Sequence, residues 1–274
     1  MRSIASGYSL SKCLNEDLKV YWFKEKKIIN SRYEKLFKYN GKVEVVDIDY
    51  KGKLKKQLMR RIMKEKNGVF DKIIKKIIGL APKVFNLSNF DTKYFDRINI
   101  DKIRNNYLTI INSQHEFFEV EKETYKELFR PKDSIYKEIR KKKKSFDSKT
   151  IGIHIRRKDH IPAKRGSPIK GFVKTMKREI RLNNANFYLA TDKQKVKKRL
   201  KKEFKDRVRF ANVNLSRKHE SGIKGALVDL YCLSECQKIY GSQASTFSEV
   251  ASKIGNISLI RVSRDLAKSF KLIK

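Results

Sequence analysis

"TIGIHIRRKDH" (Thr150–His160) decides the reading of the fold. Side chains alternate along a strand. Ile151, Ile153 and Ile155 would therefore share one face, and Gly152, His154 and Arg156 the other. Gly152 leaves room for a close neighbour. Arg157 and Asp159 follow at the carboxyl end. In open parallel sheets, ligands sit beyond the carboxyl ends of the strands. A guanidinium there presents a planar fork that matches phosphate oxygens. A strand end that simply emerges into solvent also carries charge, so this strand alone leaves both readings open.

Outward from it, strands and helices alternate. Asn186–Ala190, Arg207–Ala211, Lys238–Gly241 and Ile257–Val262 read as strands. Lys170–Leu182, Lys193–Phe204, Lys224–Cys236 and Phe247–Ile254 read as the helices between them. This alternation predicts an α/β fold with a parallel sheet and helices on both faces. Upstream, Ser3–Leu14 reads as a helix, and Lys19–Phe23 and Val43–Ile48 as strands. Helical patterns follow at Leu54–Lys64, Phe70–Ile78 and His115–Phe129. In "FRPKDSIYKEIRKKKKSFDSKT" (Phe129–Thr150), Pro131 opens a helix and Lys141–Lys144 reads as a solvated hinge. A domain boundary is expected near Ser145, giving domains 1–145 and 146–274.

The chain has 274 residues and a net charge of +37, from 67 Lys and Arg against 30 Asp and Glu. Such a balance suits either a polyanionic partner or widely scattered solvated lysines. The lysines are spread over every segment, which favours the second. A stacking platform for nucleic acid would interleave aromatics with its basic runs, and Arg140–Lys144 has none. No specific nucleic-acid partner is expected. The three cysteines (Cys13, Cys232, Cys236) fit neither a disulfide framework nor a zinc spacing. Core thiols in a reducing compartment follow. There is no apolar run long enough for a transmembrane segment and no signal peptide, so a soluble cytoplasmic protein is expected. Asp47 and Asp49 could suggest a metal-binding D-x-D, but they read as a strand end.

Three further elements carry chemistry. In "GSQASTFSEVA" (Gly241–Ala251) a short strand runs through small polar residues into a helix. Thr246 and Glu249 fit a capping box, and Ser245, Thr246 and the first helical N–H groups would make an anion site. An ordinary capped helix reads the same way. Asp229, in "GALVDLYCLSEC" (Gly225–Cys236), is the only charge between Lys224 and Glu235 in an otherwise apolar helix and should be buried. A buried carboxylate needs donors. The N1–H and N2–H₂ of guanine would supply two, and a local salt bridge would serve equally. In "FYLATD" (Phe187–Asp192), Thr191 and Asp192 either face the same crevice or cap the next helix.

Taken in order, these elements resemble the fucosyltransferase superfamily with the H-x-R-R-x-D motif, whose GT-B architecture pairs two Rossmann-like domains. HIRRKD carries the motif. FYLATD, the Asp229 helix and STFSEVA resemble the α-1,6-fucosyltransferases and nodulation fucosyltransferases. The likeness covers Ile151–Ala251. "RSIASGYSLSKCLNEDLKVYW" (Arg2–Trp22) looks like the helix and strand that follow the superfamily's Gly-x-x-Asn-Arg loop, so the N-terminal sheet is expected to lack its first strand. The resemblance implies transfer of fucose from GDP-fucose to a glycan acceptor, with inversion and without a metal or other cofactor. Arg156 would neutralise the β-phosphate, Arg157 would support the site, and His154 and Asp229 would contact the guanosine. Ser245 and Thr246 would hold the diphosphate, and Asp159 and Asp192 would shape the donor pocket. The α-1,6 family places a glutamate where Lys164 stands here, and His160 is the candidate base in its stead. The motif reports the nucleotide diphosphate better than the sugar, so a transferase of the same fold using another nucleotide sugar, a basic nucleic-acid-binding protein and an inactive homologue stand as alternatives.

Overall fold

The structure, a computed structural model, describes residues 1–24, 29–49, 83–86, 109–113, 115–158 and 161–264. The chain separates into two compact units, Met1–Glu25 with Tyr39–Phe129, and Lys26–Lys38 with Arg130–Lys274.

The first unit holds α1 (Arg2–Leu14), β1 (Lys19–Lys24), β2 (Glu44–Asp49), β3 (Lys83–Asn86), β4 (Thr109–Asn112) and α2 (Thr124–Leu128). β1 pairs with β2 in parallel, and β3 with β4 in parallel. Strands β3 and β4 were not expected from sequence. They are four residues each, too short for alternation to register. The helix expected over His115–Phe129 shrinks to α2. The hydroxyl of Ser6 on α1 accepts from the Phe117 N–H at 3.1 Å and donates to the Phe118 carbonyl at 3.2 Å. Those backbone groups are thereby taken from a helical ladder. The helical patterns at Leu54–Lys64 and Phe70–Ile78 lie outside the described residues.

The second unit carries α3 (Asp133–Lys143), β5 (Thr150–Ile155), α4 (Ile161–Gly166), α5 (Ile169–Asn183), β6 (Asn186–Thr191), α6 (Gln194–Phe204), β7 (Val208–Arg209), α7 (Glu220–Ser234), β8 (Lys238–Ser242), α8 (Thr246–Gly255) and β9 (Ser258–Val262). Lys141–Lys143 form the last turn of α3, not a hinge. The reason is packing: Ile135 and Ile139 are buried one turn apart, and α3 lies against α7. The chain passes from one unit to the other after Glu25, after Lys38 and after Phe129.

The five strands form one parallel sheet in the order β7-β6-β5-β8-β9. Ile151, Ile153 and Ile155 are fully buried against Phe172 and Met176 of α5 and Val196 and Leu200 of α6. Each such side chain contributes about 1.5–3 kcal/mol through burial. On the other face Gly152 admits α7: a Cβ there would stand 2.9 Å from Leu233 Cδ2 and 3.5 Å from Cys236 Sγ. Cys232 and Cys236 are buried free thiols, as expected of core residues, and Cys13 is exposed. The chain winds outward from β5 through β6 to β7, then crosses back to β8 and β9. Strand order therefore reverses between β5 and β8. A crevice opens at the carboxyl ends of two such strands, and ligands of open α/β sheets bind there.

Candidate active site

The sequence places its polar residues at that reversal. β5 ends in His154 and Ile155, with Arg156 next after it, and β8 ends in Gly241 and Ser242, with His154 opposite Gly241 in the parallel register. Ser242, fully buried, ties the two ends together. Its hydroxyl accepts from the Arg156 N–H at 3.1 Å and lies 3.4 Å from the His154 carbonyl, to which it donates. Gly241 is needed because a Cβ would come within 2.6 Å of Ser248 Oγ. The absence of a side chain lets the first turn of α8 settle onto the strand.

That turn differs from the expected capping box. Ser245, not Thr246, is the N-cap residue, and no side chain caps the helix. Glu249 turns instead toward Arg261 of β9, at 3.4 Å. The first N–H groups of α8 thus have no capping side chain, and the helix dipole adds partial positive charge there. Ser245 is buried and its hydroxyl has no hydrogen-bond partner among the described residues. The same holds for His154 Nδ1. Thr246 is exposed at the start of the helix. The His154 ring packs on Phe247, with centroids 4.9 Å apart. Burial, and then the charges of Arg156 and Arg261, lower the His154 pKa to about 3. The imidazole is neutral at pH 7 and can donate from one nitrogen and accept at the other.

Arg261 gave no signal in sequence. Its Nη1 donates to the carbonyls of Ser242 at 2.9 Å and Ser245 at 2.6 Å, and to Ser248 Oγ at 3.2 Å. One guanidinium so fixes the β8–α8 turn from behind. Ser167, which follows α4, braces it from another side, its hydroxyl accepting from the Gln243 N–H at 2.7 Å. Neither residue belongs to a local pattern, because each acts across the fold.

The paired arginines divide their labour. Arg156 is half-buried at the strand end. The Arg157 guanidinium donates to the carbonyls of Ala163 and Lys164, each at 3.3 Å, and to that of Ser167. Arg157 therefore supports the α4 turn. Asp192 supports the preceding loop, its two oxygens accepting from the Arg157 N–H at 2.7 Å and the Lys158 N–H at 2.9 Å. The sequence left Asp192 between pocket and cap; its carboxylate binds backbone of the β5–α4 turn. Asp159 and His160 lie outside the described residues. Lys164 is exposed on α4.

Asp229 joins a second buried set. It accepts from the Tyr188 hydroxyl at 2.6 Å. Burial raises its pKa to about 6, against the opposing effects of that hydrogen bond and of Lys197 and Lys142. Lys197, itself buried, donates to the Ala211 carbonyl at 2.7 Å. Among the described residues no group of three or more His, Cys, Asp or Glu could hold a metal ion, and no helix is long and apolar enough to cross a membrane.

No protein-family model and no curated protein matches the sequence. Solved structures do match in fold. The α-1,6-fucosyltransferase NodZ, in crystals soaked with GDP-fucose, superposes with a TM-score of 0.56 at 17% identity, over 92% of this chain and 86% of that one. POFUT1 in complex with GDP gives 0.54 at 11% identity, over 95% and 93%. Arabidopsis thaliana FUT1 in complex with GDP gives 0.61 at 13% identity, over 96% and 68%. Strand order, the reversal between β5 and β8 and these superpositions agree: the chain has the fold of the fucosyltransferases.

Proposed function

We propose that the protein is a glycosyltransferase that moves fucose from GDP-fucose to a glycan acceptor, and that the crevice at the ends of β5 and β8 binds the donor. The observation that carries this reading is the pair of buried polar atoms without hydrogen-bond partners among the described residues, His154 Nδ1 and Ser245 Oγ, beside an uncapped helix N-terminus and Arg156. Buried polar groups in native proteins are almost always hydrogen-bonded, so two such atoms at one strand end fit a polar, anionic ligand. The neighbours bound to GDP and GDP-fucose add to it.

In this reading the acceptor hydroxyl attacks the anomeric carbon as the bond to the diphosphate oxygen breaks, and the sugar inverts. Charge grows on the leaving diphosphate. Arg156 and the N–H groups at the start of α8 stabilise it from fixed positions, the most effective form of transition-state stabilisation. Ser245 and Thr246 hold the phosphates, neutral His154 contacts the nucleoside, and Asp229 reads guanine with the oxygen that Tyr188 leaves over. His160 takes the acceptor proton, and Asp159 lines the donor pocket. No metal is required, since the cationic groups above do its work.

The experiment is sugar transfer from GDP-fucose with EDTA present, beside thermal unfolding with GDP and with UDP. Transfer should persist in EDTA. GDP at 100 times its dissociation constant should add about 2.7 kcal/mol of stability, and UDP much less. Arg156→Ala should lower kcat by about 10²–10³ with an unchanged melting curve. A thermal shift with UDP but not GDP would overturn the guanine assignment. Parent-level transfer by Arg156→Ala would overturn the role of the strand end.

A further inference from the structure

At the opposite end of the sheet, before β5, β6 and β7 begin, lies a groove of about 680 Å³. Asp147, Lys149, Lys205, Asp206, Arg207 and Arg209 line it. None of these residues serves the crevice at the carboxyl ends.

The acidic members are already occupied. Asp147 accepts from Thr150 Oγ1 at 2.8 Å and the Lys149 N–H at 3.0 Å with one oxygen, and from Asn186 Nδ2 at 2.6 Å with the other. Asp206 pairs with Lys201 at 3.2 Å. Among the cations, Arg207 is committed to the carbonyls of Asn184 and Ala185, each at 3.3 Å. The others are not. Arg209 Nη1 is buried without a hydrogen-bond partner among the described residues, and among those residues the Lys149 and Lys205 ammonium groups make no ion pair. A buried guanidinium N–H is costly to leave unpaired. Lys205 also sits at φ 47°, ψ −123°, a conformation that glycine adopts freely and lysine does not. A strained lysine at the rim, where glycine would be relaxed, points to a use for its ammonium group.

We infer that this groove binds an oxyanion-bearing ligand, of phosphate or sulfate type, with Arg209, Lys205 and Lys149 as its donors. The surplus of cations over carboxylates in the groove selects for negative charge, and the Arg209 fork suits tetrahedral oxyanions. The volume accommodates a chain of several such groups rather than a single ion. The groove acts independently of the donor crevice, since the two lie at opposite ends of the same strands.

Isothermal titration of inorganic tripolyphosphate into the full-length chain tests this. Arg156→Ala serves as the background, so that the carboxyl-end crevice contributes little. One saturable site is expected. Lys149→Gln with Lys205→Gln should weaken it at least tenfold, as should Arg209→Gln alone. A matched pair on the exposed face of α6, Lys195→Gln with Lys198→Gln, should weaken it less than twofold. Equal weakening by both lysine pairs would reduce the attraction to general surface charge and overturn the site, as would the lack of saturable binding. The lysine pairs alter exposed side chains only, so the comparison holds even where Arg209→Gln unfolds.

Discussion

Folding shifts the pKa values of His154 and Asp229 in opposite directions, and removing either should tilt the pH dependence of stability in a direction fixed by the structure. His154 falls from an ordinary 6.5 to about 3 in the folded chain, through burial first and then the charges of Arg156 and Arg261. Between those values the unfolded chain holds a proton that the folded chain lacks. Stability from this group is complete above about pH 6.5 and is lost as pH falls toward 3, at up to about 1.4 kcal/mol per pH unit. Asp229 rises from 3.8 to about 6, mainly through burial. Between those values the folded chain holds the extra proton, so stability declines as pH rises, at up to the same slope. From pH 4 to 6 the two nearly cancel. His154→Asn should expose the Asp229 slope and make the protein relatively more stable at pH 4 than the parent trend allows. Asp229→Asn should do the reverse, steepening acid destabilisation by about 1.4 kcal/mol per unit. Urea unfolding at pH 4, 5, 6 and 7 by far-UV circular dichroism reads both. Trp22, the sole tryptophan, lies in the first unit, so its fluorescence separates that unit's transition. Parallel pH profiles for parent and both variants would refute the reasoning, because they would mean that neither group changes its protonation on folding.

Two further predictions follow from single contacts. Arg261→Met removes the guanidinium that holds two carbonyls and Ser248 Oγ at the β8–α8 turn; at about 1.5–3 kcal/mol for a hydrogen bond to a charged group, added incompletely, it should cost about 3 kcal/mol in urea unfolding and weaken GDP binding, while Arg261→Lys restores part of both. Gly222→Ala would set a Cβ 1.9 Å from the Ser216 carbonyl oxygen, and since backbone cannot yield as a side-chain end can, it should cost about 1–3 kcal/mol and raise hydrogen exchange in the loop before α7.

The second unit was legible in sequence to a degree that the first was not, and the difference is physical. Thr150–Ile155 came out with the predicted bounds because a strand buried on both faces, with isoleucine at alternate positions, admits no other register. The neighbouring strands and helices were each found to within a few residues, except β7, which keeps only Val208–Arg209 of the expected five, and α4, whose six residues follow directly on the motif. In the first unit, by contrast, tertiary contacts override the local pattern: "HEFFEVEKETYKELF" reads as one helix until Ser6, more than a hundred residues away, claims its backbone groups. Candidate site residues divide in the same way. His154, Arg156 and Ser245 could be named because a strand end and a helix start are local features. Arg261, Ser242 and Ser167 could not, because each is a lone polar residue whose meaning is its partner across the sheet.

The buried arrangement behind the crevice also bears on how the site reaches its working geometry. Arg261 satisfies the carbonyls of the β8–α8 turn from behind, and Ser242 satisfies the Arg156 N–H from the adjacent strand. With those two carbonyls engaged, the groups gathered at the proposed donor crevice are donors: the N–H groups at the start of α8, the Ser245 hydroxyl and the Arg156 guanidinium. His154 completes this bias in an unobvious way. Burial first, and then the charges of Arg156 and Arg261, keep it neutral, so it adds no further charge to a cluster that must fold without a ligand, yet it retains one N–H to give. A site with two arginines and an imidazolium would be costly to bury before binding. In the proposed function, arginines with a neutral imidazole hold their donors in place in the unliganded fold, so that the donor's diphosphate would meet a preorganised site.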